Sequence, residues 1–214
     1  MSQDRPIPDE FRALQPSSIV AFDFDGTLTV RDSFTAFLKW RAGPGRWALG
    51  LLRLAPAALA YVFHRDRGRI KAAAAREFLK GTPRAQLEAD ARTFAESHSR
   101  RMLRPDAVAA WKRWRADHVR LGIVTASPDL IVGPFARGLG ADFLIGTELA
   151  FDAADQITGA LATPNCRGPE KVRRLKATFG DDLELKAAYG DTSGDREMLA
   201  AAEIKGYRVF GGTP

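Results

Sequence analysis

Cysteine is almost missing from this chain: among 214 residues there is one, Cys166. A single thiol cannot make an internal disulfide, and a thiolate-only metal site is excluded. Histidine is nearly as scarce. His64, His98 and His118 are scattered, with no second ligand at helical spacing, so a histidine-built metal centre is not expected. No apolar run reaches the about 20 residues that a membrane-spanning helix needs. The longest candidate, residues 47–63, carries Arg53 and Pro56 inside it. Met1 to Phe11 holds Asp4, Arg5, Asp9 and Glu10 and lacks the apolar core of a signal peptide, so a cytoplasmic location is expected. Internal repeats and low-complexity tracts are absent as well.

What is present suits a stable globular protein. The chain is 45% hydrophobic and 27% charged, which excludes wholesale disorder and collagen-like architecture. At this length a folded chain buries roughly 70% of its unfolded surface. The formal net charge is +6, which favours an anionic partner such as a phosphorylated substrate, a membrane surface or nucleic acid.

Residues 18–24 form a short apolar run that reads as a buried parallel strand. Asp32 and Ser33 offer caps for a helix through Phe34, Phe37, Leu38 and Trp40. Gly43-Pro44-Gly45 breaks it, and helical patterns resume over 47–63, 70–79 and 84–102. The polar stretch Met1 to Pro16 reads as a loose lead-in. Pro105-Asp106 opens a further helix. From Val119 the texture changes to alternating strands and helices: a strand at 119–125, a short strand at 142–145, a hairpin at 148–162, a helix at 169–179, a strand at 185–189, a helix at 195–202 and a last strand at 207–210. This alternation predicts a parallel α/β sheet with covering helices. The nearly hundred, mostly helical residues after the first strand read as an inserted cap. The expected division is 1–32 and 105–214 for the catalytic core and 33–104 for the helical cap.

In open α/β sheets ligands bind beyond the carboxyl ends of the strands. Each predicted strand end here is polar. The first ends in Asp23-Phe24-Asp25-Gly26-Thr27, the second in Thr125-Ala126-Ser127, and a later one in Gly190-Asp191-Thr192-Ser193-Gly194-Asp195; Lys171 lies on the helix before the last of these. Four carboxylates gathered together repel one another and suit a hard divalent cation with oxygen ligands; Mg²⁺ fits when a phosphate completes its shell. Thr125 offers a hydroxyl and Lys171 a positive charge to a phosphate, and Gly26 lets backbone N–H groups approach the anion. A carboxylate can attack phosphorus while a second moves the protons.

The four signatures, in this order and spread over nearly the whole chain, resemble the haloacid dehalogenase (HAD) superfamily of phosphohydrolases. The resemblance implies a Rossmann-like doubly wound sheet with a helical cap of the family's first type. By position it makes Asp23 the nucleophile and a metal ligand. Asp25 becomes the general acid/base, its carbonyl touching the metal. Asp191 completes the metal site, with Asp195 supporting it directly or through water. Thr125, Ala126 and Lys171 hold the transferring phosphoryl group beside Gly26 and Thr27, and Asp32 faces the cleft as an N-cap or substrate gate. An aspartate at position 25 argues for phosphate-ester hydrolysis over dehalogenation. Phosphoserine phosphatases are near relatives by this reading, and a soluble small-molecule phosphatase of that kind is the alternative activity. The segments Gly168-Pro169-Glu170-Lys171-Val172, Thr125-Ala126-Ser127-Pro128 and Asp32-Ser33-Phe34 are similar to the phosphatidylglycerophosphatase C type, which implies a lipid phosphomonoester as substrate. A non-catalytic membrane- or nucleic-acid-binding module is the alternative of a different class. The intact carboxylate set argues against it, and no nucleic acid is expected as partner.

Several features keep plainer readings. Ser127 reads as the N-cap of the helix that follows, and Cys166 as a small packed residue. Trp40, Trp47, Trp111 and Trp114 read as cap packing. Residues 47–63 are either a buried pair of cap helices or a peripheral contact with a membrane surface. Charge sharpens the second reading. Residues 31–120 hold 20 Lys+Arg against 8 Asp+Glu, and the remainder 12 against 18. A strongly basic cap therefore sits beside an acidic core, an arrangement suited to anionic lipid or phosphorylated substrate.

Overall fold

The computed structural model describes residues 18–64, 67–117 and 119–214. The lead-in expected before residue 17 lies outside the described residues. The first strand, β1 (Ile19–Phe22), is followed by three helices: α1 (Ser33–His64), α2 (Arg67–Leu79) and α3 (Arg84–Met102). Then come α4 (Pro105–Ala116), β2 (Arg120–Pro128), α5 (Asp129–Leu139), β3 (Phe143–Thr147), β4 (Leu149–Phe151) and β5 (Ile157–Leu161). The chain closes with α6 (Pro169–Phe179), β6 (Leu185–Gly190), a 3-10 turn (Ser193–Asp195), α7 (Arg196–Ala200) and β7 (Ala202–Tyr207).

The main sheet has five parallel strands in the order β3-β2-β1-β6-β7. This is the predicted doubly wound sheet. The strand period of two sends alternate residues to opposite faces. Val20, Phe22, Leu121 and Ile123 pack on one face with Trp111 of α4 and Phe135 of α5. Ala21, Val124 and Ala188 pack on the other with Leu175 of α6 and Met198 of α7. The result is an α/β/α sandwich.

Helices α1–α3 form the insert between β1 and β2, and the insert shares its apolar core with the first face. Phe37, Leu87 and Phe94 belong to the same buried cluster as Phe22 and Phe135. Phe94 meets Phe135 edge-on, with ring centroids 6.0 Å apart. The antiparallel pair β4–β5 is the expected hairpin, and it straps the insert from the core side. The Gly81 N–H donates to the Ile157 carbonyl (2.8 Å), and the Ile157 N–H donates to the Thr82 carbonyl (2.9 Å). Arg84 pairs with Asp155 at 2.9 Å and lies over the Phe151 ring at 3.7 Å. Gly159 fits against Arg76 so closely that a Cβ would stand 2.5 Å from the Arg76 Cα.

Three expectations need correction. The last strand is Ala202–Tyr207, earlier than the predicted 207–210. It is an edge strand, and Glu203, Ile204 and Lys205 are exposed, so it lacks the apolar run that marks a buried strand. Gly206 is inward, where a Cβ would lie 2.2 Å from the Tyr189 ring. Trp111 and Trp114 do not pack in the cap. They cover the sheet, with Trp111 beside Phe22 at 5.2 Å and the Trp114 Nε1–H donating to the Tyr189 hydroxyl at 2.9 Å. Finally, residues 47–59 are not a buried helix pair. Helix α1 turns sharply at Gly43 (φ 69°, ψ 170°) and runs on through Pro56 as an arm over residues 44–64. Leu52 is 73% exposed and Leu59 62%. No helix among the described residues is long and apolar enough to cross a membrane.

Candidate active site

Parallel strands bring their carboxyl ends to one edge. In β1, Phe22 is level with Ile123 of β2 and Tyr189 of β6. Asp23, Thr125 and Asp191 therefore leave three neighbouring strands side by side. Asp23 is fixed by its own backbone, whose N–H donates to the Tyr189 carbonyl at 2.8 Å. Lys171 enters from the first turn of α6 and is fully buried. Its Nζ donates to Asp23 Oδ1 (2.6 Å), Asp195 Oδ1 (2.7 Å) and the Val124 carbonyl (2.6 Å). All three of its N–H groups are thus used. Burial alone would lower the pKa of this ammonium, but the carboxylates of Asp23 and Asp195 more than offset it and Lys171 stays charged.

The carboxylates carry opposite shifts. Burial, opposed by Lys171 and reinforced by Asp195, pushes Asp23 up to about 7. Asp191 is also raised, first by burial and then by the charge of Asp195. Asp195 is lowered: burial opposes ionisation, but Lys171 and the donors at Thr192 outweigh it. Its Oδ2 accepts from the Thr192 N–H (2.9 Å) and hydroxyl (3.0 Å), closing a capping box around the 3-10 turn. Asp23, Asp191 and Asp195 each bring one carboxylate oxygen within 4.8 Å of the other two. Three carboxylates with a single lysine among them remain short of positive charge. All donors are oxygen, which suits a hard divalent cation of the Mg²⁺ class. Gly26 (φ 85°) is required beside them, because a Cβ there would lie 2.2 Å from Asp191 Oδ2.

Asp25 sits apart from that cluster and is held from the opposite side. Its Oδ1 accepts from the Ser33 N–H at 2.7 Å, and its Oδ2 from the Ser127 hydroxyl. Burial, with the charge of Asp32 added, pushes its carboxyl up to about 6. Ser127 is therefore an Asp25 partner and not the expected helix cap; Pro128 occupies the N-cap of α5. Thr125 is buried, and its Oγ1 accepts from the Ser127 N–H at 3.0 Å. Thr27 reaches Asp23 and Asp191, 3.4 Å from each. Asp32 caps α1 through the Thr35 N–H at 2.7 Å and also lines the cavity mouth.

A cavity of about 560 Å³ joins these groups. Its floor holds Asp23, Asp25, Gly26, Thr125, Ala126, Lys171, Asp191 and Asp195, so every residue expected at the site borders it except Thr27, which lies just behind. One wall comes from the insert and is apolar: Leu38, Trp47, Leu51, Leu54, Ile70 and Phe78. Among the polar residues that line it without being expected at the site are Asn165, Arg167 and Lys71. Arg167 donates to the Thr192 and Ser193 hydroxyls at 3.2 and 3.0 Å, and so braces the Asp191 loop. Asn165 Oδ1 accepts from the Thr147 hydroxyl at 3.2 Å. No motif assigns them to the site: Asn165 and Arg167 lie in a loop, and Lys71 is one of several basic residues near the start of an alanine-rich helix.

The haloacid dehalogenase-like hydrolase family model matches residues 20–200. The chain belongs to this family. It is an enzyme of the hydrolase class, and its central parallel sheet flanked by helices is that of the HAD fold. It is 61% identical over 214 residues to the protein CicA of Caulobacter vibrioides, an alignment covering 100% of this chain and 95% of CicA. Among solved structures, a protein of unknown function from Bordetella pertussis Tohama I is similar with a TM-score of 0.70 at 23% identity, covering 86% of each chain. A phosphoserine phosphatase captured as an analogue of its phospho-aspartyl intermediate is similar with a TM-score of 0.58 at 19% identity, covering 89% of this chain and 86% of the other.

Proposed function

We propose that this HAD-family phosphatase hydrolyses a lipid phosphomonoester, phosphatidylglycerophosphate, to phosphatidylglycerol through an aspartyl-phosphate on Asp23. An Asp23 oxygen attacks phosphorus as the bond from phosphorus to the leaving oxygen breaks. The Asp25 carboxyl gives its proton to that leaving oxygen; a carboxyl pushed up to about 6 is protonated often enough for the task. Asp25 then takes a proton from water, the water oxygen attacks phosphorus, and the Asp23–phosphate bond breaks to release inorganic phosphate. Ser127 and the Ser33 N–H hold Asp25 in place throughout. Thr125 and the Ala126 backbone bind the phosphoryl oxygens, Gly26 leaves room for them, and Lys171 lends its charge while its N–H groups stay on Asp23, Asp195 and the Val124 carbonyl. Asp23, Asp191, Asp195 and the Asp25 carbonyl would hold Mg²⁺. When bound, it supplies positive charge to the carboxylates and the phosphoryl group.

The observation that carries the lipid reading is the two-sided cavity. Carboxylates form its floor, and Trp47, Leu51 and Leu54 of the arm form its wall. The same arm turns Leu49, Leu52 and Leu59 outward. An apolar leaving group can thus lie along the wall while its phosphate meets Asp23. Arg46 and Arg53 lie before and among the leucines; they share one partner, Glu77, and both remain partly exposed, a pattern suited to an anionic lipid surface. The test is a panel of lipid and soluble phosphomonoesters with and without liposomes, in the presence of Mg²⁺. Turnover of phosphatidylglycerophosphate well above that of phosphoserine supports the proposal. Turnover of phosphoserine with none on lipid vesicles replaces it with a soluble-substrate phosphatase.

A further inference from the structure

Two lysines reach the cavity, and their surroundings differ. Lys171 is placed between two carboxylates. Lys71 comes from α2, in the insert, and its side chain crosses to the sheet edge. Its Nζ donates to the Ala126 carbonyl and, at 3.3 Å, to Asn165 Oδ1. Both acceptors are neutral. An ammonium has three N–H groups, so one remains. Lys71 makes no ion pair among the described residues, although the charges of Asp25, Asp32 and Asp23 are close enough to act on it. Burial lowers its pKa against those charges, the mark of an ammonium drawn out of water.

A partly desolvated cation without an ion-pair partner is costly. The alternative is a site that waits for an anion. The Ala126 carbonyl to which Lys71 is tied belongs to the Thr125–Ser127 loop, and Thr147 holds the same carbonyl from the other side at 2.8 Å. Lys71 is therefore fixed next to the phosphate-binding hydroxyl of Thr125, with an N–H and a charge to spare. We propose that Lys71 is a substrate-binding residue, an ammonium supplied by the insert to an anionic oxygen of the phosphomonoester substrate. The oxygen belongs either to the transferring phosphoryl group or to a second anionic group beside it. The consequence is that the insert shapes the cavity and also completes its positive charge. This inference rests on the phosphomonoester reading above, but not on the lipid.

The test uses the full-length protein with Mg²⁺ and the variants K71M, K71Q and K71R. K71M keeps an unbranched stem of nearly the lysine's length without its charge, and K71Q serves if K71M does not fold. The readouts are kcat and KM on para-nitrophenyl phosphate and on phosphatidylglycerophosphate in detergent micelles, with the affinity for inorganic phosphate measured by calorimetric titration. The expected result is a rise of about tenfold or more in KM and in the phosphate Kd for K71M, with K71R restoring most of it. Equal rises for both substrates and phosphate put the contact on the transferring group. A rise confined to the lipid substrate puts it on the second anion. Unchanged KM and phosphate Kd, with only kcat or thermal stability reduced, would make Lys71 a tether between α2 and the Ala126 loop and overturn the proposal. The phosphate titration needs no turnover. A wild type that hydrolyses neither substrate therefore defeats the phosphatase reading while the Lys71 contact is still decided.

Discussion

The carboxyl edge of the sheet and the arm over residues 44–64 treat their side chains in opposite ways. At the edge, each carboxylate is held by groups from distant parts of the chain: Asp23 by Lys171, Asp25 by Ser33 and Ser127, and Asp195 by Lys171 and Thr192. Such a network fixes charges against their own repulsion, the pre-organisation that catalysis needs. The arm leaves its leucines in solvent, with only one side laid against α2 through Trp47 stacked on Phe78. A contiguous exposed apolar face is a recognition surface or a liability. Here it is continuous with the cavity wall. In the function proposed above the difference separates two tasks: the edge carries the reaction, and the arm meets what is brought to it.

Breaking the edge should have the largest effects. D23N should lower kcat on para-nitrophenyl phosphate by about 10³-fold or more, since it removes the proposed nucleophile. The same variant should be no less stable than the wild type without metal. Asp23 rises from 3.8 unfolded to about 7 folded, so the folded state holds the proton more tightly and stability falls as pH climbs between those values. Metal-free thermal melts should show that decline in the wild type and a flatter profile in D23N. Adding Mg²⁺ should raise the wild-type melting temperature most near pH 7. A decline equally steep in D23N would mean that another group is responsible. K171M should cost about 3–5 kcal/mol, because it leaves Asp23 and Asp195 buried without their cation; denaturant titration reads this directly.

Substitution on the arm should act on a smaller scale and on a different quantity. L52D combined with L59D should change stability by no more than about 0.5 kcal/mol. It should reduce co-sedimentation with anionic vesicles several-fold and lower lipid turnover more than turnover of a soluble ester. Equal losses on both substrates would erase the contrast between edge and arm. The smallest effect is expected at Glu170, where hydrogen bonds from Arg173 and Arg174 outweigh the opposing effect of burial and hold the carboxyl down at about 2. A depressed carboxylate adds stability above its ordinary range and loses it as pH falls toward about 2. The melting-temperature gap between wild type and E170Q should therefore be widest at neutral pH and shrink below about 4.5.

The parts legible in the sequence were those that repeat a local rule. Residues 18–24 and 119–125 are apolar runs ending in polar residues, and both are central strands whose ends carry the site. Lys171 was legible only through its place in a set of four signatures. Lys71 was not, because its neighbours Ala72 to Ala75 make it look like one lysine on an ordinary helix face; its meaning depends on a loop 55 positions away. Ser127 was misread for a related reason. A serine before a proline and an aspartate satisfies the local rule for a helix cap, but Asp25, 102 positions earlier, takes the hydroxyl instead. The arm was ambiguous by its nature. Apolar residues on all sides describe a buried helix as well as a surface one, and only the absence of covering side chains tells them apart.

The β4–β5 hairpin carries a consequence for the order in which the protein comes to be. The turn between α2 and α3 receives its backbone partners from Asp155 and Ile157, and Arg84 finds Asp155 across 71 positions of chain. During synthesis the insert leaves the ribosome long before the segment that straps it. Its helices must wait, with Phe94 still lacking Phe135 and the turn lacking its hairpin, until most of the protein has been made. Contacts of such separation slow folding and lengthen the exposure of apolar surface. A nascent chain halted near residue 120 would thus hold all of α1 to α4 and no finished enzyme, and it is in that interval that a chaperone would have most to cover.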